Sequence, residues 1–135
     1  MPHFVVEYTD NLKDEVDIRD MLVKVNQILI AQDGVFPIGG IRARAIELND
    51  YVMSDDEEDY AFVHASLKVG AGRSEEQLKK ACGEIFDMMK EHFAEQFEKR
   101  YMALSMEYGE FSEAGTYIST TTCMHVSRNK RKLHD

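Results

Sequence analysis

A strand, helix, strand pattern is written twice along this chain, and that repetition restricts the fold more than any single motif does. The first copy opens on PHFVVEY (2–8), rich in β-formers and partly alternating, which reads as a strand. Leu22, Val25 and Leu29 then recur at spacings of three and four, with Val16 and Ile18 as earlier members, and predict an amphipathic helix. Asp10 or Asn11 is placed to cap its start, and Gly34 follows its end. IRARAIEL (41–48) supplies the second strand. The second copy starts with YAFVHASLKV (60–69), turns at GAGRS (70–74), and enters a helix through a capping box of Ser74 with Gln77. Leu78, Ala81, Cys82, Ile85, Met89, Phe93 and Phe97 trace one face of that helix, and YMALSMEY (101–108) is the fourth strand.

Each helix is long enough to cross between parallel strands, so each copy predicts a right-handed βαβ unit. Two such units give an α/β fold, a two-layer α+β sandwich of four strands with two helices on one face. A chain of 135 residues suits one core of this kind. The expected organisation is a single domain over 1–135, with halves 2–53 and 60–109 and a tail over 110–135. If both helices cover one face, the other cannot be wholly solvated once it carries Phe4, Phe62 or Leu104. An oligomer interface would supply its cover. Between the halves, five of the six residues 54–59 are carboxylates and read as a solvated loop. The basic ending SRNKRKLHD reads as a solvated terminus.

Charge narrows the function. A formal net charge of −9 argues against nucleic acid as a partner, which needs a broad basic surface. A small anion remains possible, because local arginines override a global balance. No apolar run approaches the roughly 18 residues of a membrane span. Asp10, Asp14, Glu15 and Asp17 interrupt the region where the apolar core of a secretory leader would lie, so the expectation is a cytoplasmic protein. Cys82 and Cys123 have no CxxC spacing, and Cys82 is expected to be a core thiol rather than half of a disulfide. His3, His64, His92, His125 and His134 form no HxH, HExxH or His–Cys pattern, so no metal site is expected.

Three features carry candidate chemistry. Pro2 follows the initiator methionine, and methionine before a small residue is usually removed. Removal would leave a secondary amine at the start of a strand, able to act as a general base once burial and nearby cations lower its pKa. Arg42 and Arg44 lie two apart on a strand and share a face. They are either snorkelling surface residues or a clamp for carboxylates, whose geometry the guanidinium fork matches. GAGRS places glycines and Arg73 before a helix start, which suits either a tight turn or an anion site. It is not a Walker A sequence.

Taken together, PHFVVEYTDNL, FPIGGIRAR and YAFVHASLKVGAGRS, in this order over residues 2 to 108, resemble the 5-carboxymethyl-2-hydroxymuconate isomerase family of the tautomerase superfamily. The resemblance implies a homotrimer without metal or organic cofactor, acting on a small polycarboxylate dienol. It implies that Pro2, freed of Met1, is the catalytic base. It further implies that Arg42 and Arg73 bind and polarise the substrate, with Arg44 as a further substrate-binding residue. Two alternatives use the same scaffold. One is a superfamily enzyme of hydratase or dehalogenase type, and the other is a trimeric binding protein without catalysis.

Overall fold

The computed structural model describes residues 1–121. Cys123, His125, His134 and the basic ending lie outside the described residues. Four strands form one sheet: β1 (His3–Thr9), β2 (Arg42–Leu48), β3 (Ala61–Val69) and β4 (Met102–Glu110). Their order is β2-β1-β3-β4. Each half contributes a parallel pair, β1 with β2 and β3 with β4, and the halves meet where β1 runs antiparallel to β3. The helices are α1 (Ile18–Ile30), α2 (Glu75–His92) and the short α3 (Ala94–Lys99).

Alternation along the central strands, unbroken in β3 and held to Glu7 in β1, builds the core. Phe4 and Val6 of β1 and Val63, Ala65 and Leu67 of β3 are buried on one sheet face. Met21, Val25 and Leu29 of α1 and Leu78, Ala81, Ile85 and Met89 of α2 pack against them. Buried side chains of this size each contribute about 1.5–3 kcal/mol relative to exposure. The predicted capping box is present in both directions, Ser74 Oγ accepting from Gln77 N and Gln77 Oε1 from Ser74 N.

The structure corrects several expectations. The cap of α1 is Asp17, which accepts from Asp20 N at 2.9 Å, and not Asp10 or Asn11. Those two residues form a separate 3-10 turn (Asp10–Leu12) that buries Leu12. Asn11 Nδ2 is tied instead to Asp59 and to the Tyr60 carbonyl, both at 2.8 Å. The second helix does not run on to Phe97. It ends at the buried Phe93, and the separate short α3 buries Gln96 and leaves Phe97 41% exposed. Cys82 is half-buried rather than a core thiol.

The faces of the sheet also differ from expectation. Phe4 pairs with Leu67 and Leu104 with Val63, which puts both on the helix-covered face. Phe62 alone of the three named residues belongs to the other face. There it joins His3, Val5, Arg44, Ile46, His64 and Ser105, a mixed rather than an apolar surface.

Candidate active site

The antiparallel β1–β3 pairing brings three chain segments to one end of the sheet: the start of β1, the start of β2 and the end of β3. Pro2 is buried immediately before β1. Its carbonyl accepts the Arg42 N–H at 3.0 Å, so the first ladder bond of β1 with β2 joins two predicted site residues. Gly40 lets the N-terminus approach closely. A Cβ there would lie 3.3 Å from Met1 Cα and 3.6 Å from Pro2 Cδ.

Arg42 and Arg44 share a face as predicted, but they do not form one fork. Arg42 Nη1 donates to the Gly40 carbonyl at 3.0 Å, while Arg44 Nη1 reaches His3 Nδ1 at 3.1 Å. Arg73 is fixed by the turn after β3. Its Nε donates to the Val35 carbonyl and its Nη1 to the Gly70 carbonyl, both at 3.0 Å, and its guanidinium lies 4.9 Å from the centre of the Phe36 ring. Gly72, at φ +112°, supplies the backbone conformation that the turn needs. Burial pushes the Arg73 pKa down from its ordinary value, and Glu110 opposes that shift. The Met1 nitrogen and Arg73 Nη1 both lie 3.8 Å from where a Gly70 Cβ would stand. The proline end and the GAGR turn are therefore in van der Waals reach of one glycine.

Beside this end lies a cavity of about 400 Å³, walled by Met1, His3, Gly70, Phe111, Glu113 and Tyr117. Pro2 and the arginines are not part of this wall, whereas Met1 and His3, the neighbours of Pro2 in the chain, are. The His3 ring meets the Phe111 ring edge to face at 5.5 Å. Burial first, then the charges of Arg44, Arg42 and the α-amino group, pull the His3 pKa below its ordinary value. A second cavity of about 420 Å³ lies between α2 and β4, lined by Cys82, Phe86, Met106 and Tyr108 among others. It contains none of the predicted site residues. Burial pushes the Cys82 thiol up to about 11, which makes it a poor nucleophile.

Sequence reasoning missed Phe111 and Glu113, which follow β4 in a stretch without periodicity. It placed His3 on the first strand and among histidines without a metal pattern. Among the described residues no group of three or more His, Cys, Asp or Glu is arranged to hold a metal ion. No helix among them is long and apolar enough to cross a membrane.

The architecture matches that of a fused 4-OT wild type symmetric trimer, with a TM-score of 0.60 at 14% identity, covering 87% of this chain and 93% of that one. At that identity the likeness shows the class of fold alone. The family model for 5-carboxymethyl-2-hydroxymuconate isomerase matches residues 2–125. The 5-carboxymethyl-2-hydroxymuconate Delta-isomerase of Escherichia coli is 46% identical over 110 residues, 82% of this chain and 86% of the relative. The crystal structure of a 5-carboxymethyl-2-hydroxymuconate isomerase from Deinococcus radiodurans R1 superposes with a TM-score of 0.87 at 44% identity, covering 94% of this chain and 92% of that one. The chain belongs to the 5-carboxymethyl-2-hydroxymuconate isomerase family.

Proposed function

We propose that this chain is a cofactor-independent isomerase that converts 5-carboxymethyl-2-hydroxymuconate, a dienol bearing carboxylates, to its 2-oxo isomer in the cytoplasm. The observation that carries the reading is the gathering of Pro2, Arg42, Arg44 and Arg73 at one end of a fold whose family match spans residues 2–125.

The reaction breaks the O–H bond of the 2-hydroxyl, shifts the double bonds and forms a C–H bond at a distant carbon. One group must take the proton and return it, with a pKa near the working pH. The Pro2 amine fills that role once Met1 is removed; with Met1 attached, its nitrogen is a tertiary amide and no base. An α-amino group starts near about 8, and the guanidinium charges of Arg42 and Arg73 favour its neutral form. The same cations stabilise the dienolate as charge develops on oxygen. Arg42, Arg44 and Arg73 hold the carboxylates. Loss of Met1 also uncovers the proline to the cavity that Met1 now walls.

The working unit in this reading is a homotrimer. A fold relative is a symmetric trimer, which supports this reading. The test begins with the intact mass of the natural protein, expected to lack Met1. Turnover of the dienol is then followed by the absorbance change of ketone formation. Pro2→Ala should keep the fold and lose roughly 10²- to 10⁴-fold in kcat, the usual worth of a positioned general base. Wild-type turnover in a correctly processed Pro2→Ala protein would refute the mechanism.

A further inference from the structure

We propose that His3 is a positioning residue whose neutral imidazole holds the Arg44 guanidinium at the proline end of the sheet. The role rests on the assignment of Arg44 to substrate binding made above.

Strand register gives the reason Arg44 needs holding. Its partner across the ladder is Val5, whereas His3 lies opposite Arg42. Arg44 is exposed and reaches diagonally back along the sheet to place Nη1 3.1 Å from His3 Nδ1. A guanidinium has only donors, so Nδ1 must be the acceptor and the imidazole proton must sit on Nε2. The ring is itself fixed from the other side by its edge-to-face contact with Phe111 at 5.5 Å, and it forms part of the cavity wall. An arginine loose on an open strand face loses rotamer freedom on binding a carboxylate, and one already held loses less.

Protonation would reverse the arrangement. A proton on Nδ1 turns acceptor into donor and sets a third cation beside Arg42 and Arg44. The charged groups facing His3 are those two arginines from β2, Lys68 opposite it on β3, the α-amino group, and Glu113 from the segment after β4. All but Glu113 are cations, in accord with the lowered pKa of the ring. The sign is therefore fixed: the pair is intact above the imidazole pKa and lost as pH falls through it.

The test uses Met1-free protein and 5-carboxymethyl-2-hydroxymuconate. His3→Ala should raise KM about tenfold with kcat within about twofold, the signature of lost ground-state binding through one hydrogen bond to a charged group. His3→Asn, whose amide oxygen can replace Nδ1, should restore most of the KM and keep it flat at acidic pH, where the wild-type KM rises. Combining His3→Ala with Arg44→Ala should be no worse than Arg44→Ala alone. An unchanged KM in His3→Ala, or multiplying effects in the double variant, overturns the proposal. Nitrogen-15 NMR of the imidazole gives a readout that needs no turnover. It should show the proton on Nε2 and a pKa that rises in Arg44→Ala. A pKa indifferent to Arg44 overturns the pairing even if the protein isomerises the dienol. Absence of turnover with an intact pairing overturns only the function proposed above.

Discussion

Arg73 is bound by its own fold before it binds anything else, and replacing it by methionine separates the two duties. Methionine keeps a flexible chain against the Phe36 ring but carries no N–H. The Val35 and Gly70 carbonyls each lose a charged donor now at 3.0 Å. A hydrogen bond to a charged group contributes about 1.5–3 kcal/mol, but both residues are half-buried, so water can replace part of that. Counting about 1 kcal/mol for each carbonyl and about 0.5–1 kcal/mol for the guanidinium over the ring gives a loss of about 2.5–3 kcal/mol. At about 4 °C per kcal/mol for a domain of this size, Tm should fall by roughly 10–12 °C.

The assay is a thermal melt at fixed chain concentration, which matters for an oligomer, followed by steady-state kinetics at a temperature where the variant is folded. Arg73→Met should show both the lower Tm and a higher KM for the dienol. Arg73→Lys should also lose stability, because a single ammonium cannot reach both carbonyls in the guanidinium's geometry. A melt within a degree of the parent, in either variant, would show that the internal anchors contribute nothing and would refute the reasoning. A lower Tm with unchanged KM would remove Arg73 from the substrate site.

Other expectations are open to direct measurement. Pro2→Ala should fold and trimerise normally while losing turnover, checked by mass, sedimentation and kinetics together. His3→Ala should raise KM and His3→Asn should restore it, as argued above. Arg100, with its side chain only 11% exposed, grips Glu15 with two N–H groups at 2.6 and 3.1 Å, and this holds the Glu15 carboxyl below its ordinary range. That stability is complete above the unfolded carboxylate pKa and is lost as pH falls through the lower folded one, so urea midpoints should decline on acidification from about 4.5. Arg100→Gln should flatten that decline. In a Cys123→Ser background, alkylation of Cys82 near pH 8 should run about 100-fold slower than for an unperturbed thiol, since its pKa stands at about 11 against 9.0. An ordinary rate would refute its burial.

What was legible in the sequence is what local chemistry decides. The strands of each half and the Ser74–Gln77 box depend on neighbours within a few residues, and they stand where the pattern put them. The cap of α1 did not, because Asn11 is diverted by Asp59 and Tyr60, almost 50 residues away. Period-2 alternation in YMALSMEY shows that two faces exist but not which one meets the helices. Only the Val63–Leu104 pairing settles that. The break at Phe93 has no proline or glycine to announce it. Pro2, Arg42, Arg44 and Arg73 could be named from the chain, but their meeting at one end depends on the antiparallel seam between the halves. The anchors of Arg73 are backbone carbonyls, which every sequence offers and none advertises.

That seam also explains why a twice-written unit has one candidate site. Because β1 and β3 run in opposite directions, the two halves present corresponding positions at opposite ends of the sheet. Where the first half has Pro2, the second has Tyr60; where the first has Arg42, the second has Met102, which is buried. The Tyr60 hydroxyl donates to Asp55 at 2.7 Å and its ring meets that of Tyr101 edge to face. Arg100 closes this end by pairing with both Glu15 and Asp59. The loop that follows β3 carries Arg73, whereas the one that follows β1 carries Asp10, Asp14 and Glu15. Arg42, Arg44 and Arg73 therefore stand at the proline end, while at the other end Arg100 is tied to the carboxylates of Glu15 and Asp59. In a chain of net charge −9, a cluster of arginines of this kind would favour the approach of a polyanionic dienol at the proline end. The duplicated fold thus diverges by charge as well as by residue: one end is closed by its own ion pairs, and at the other Arg42 and Arg73 are held by backbone carbonyls and Arg44 by an imidazole.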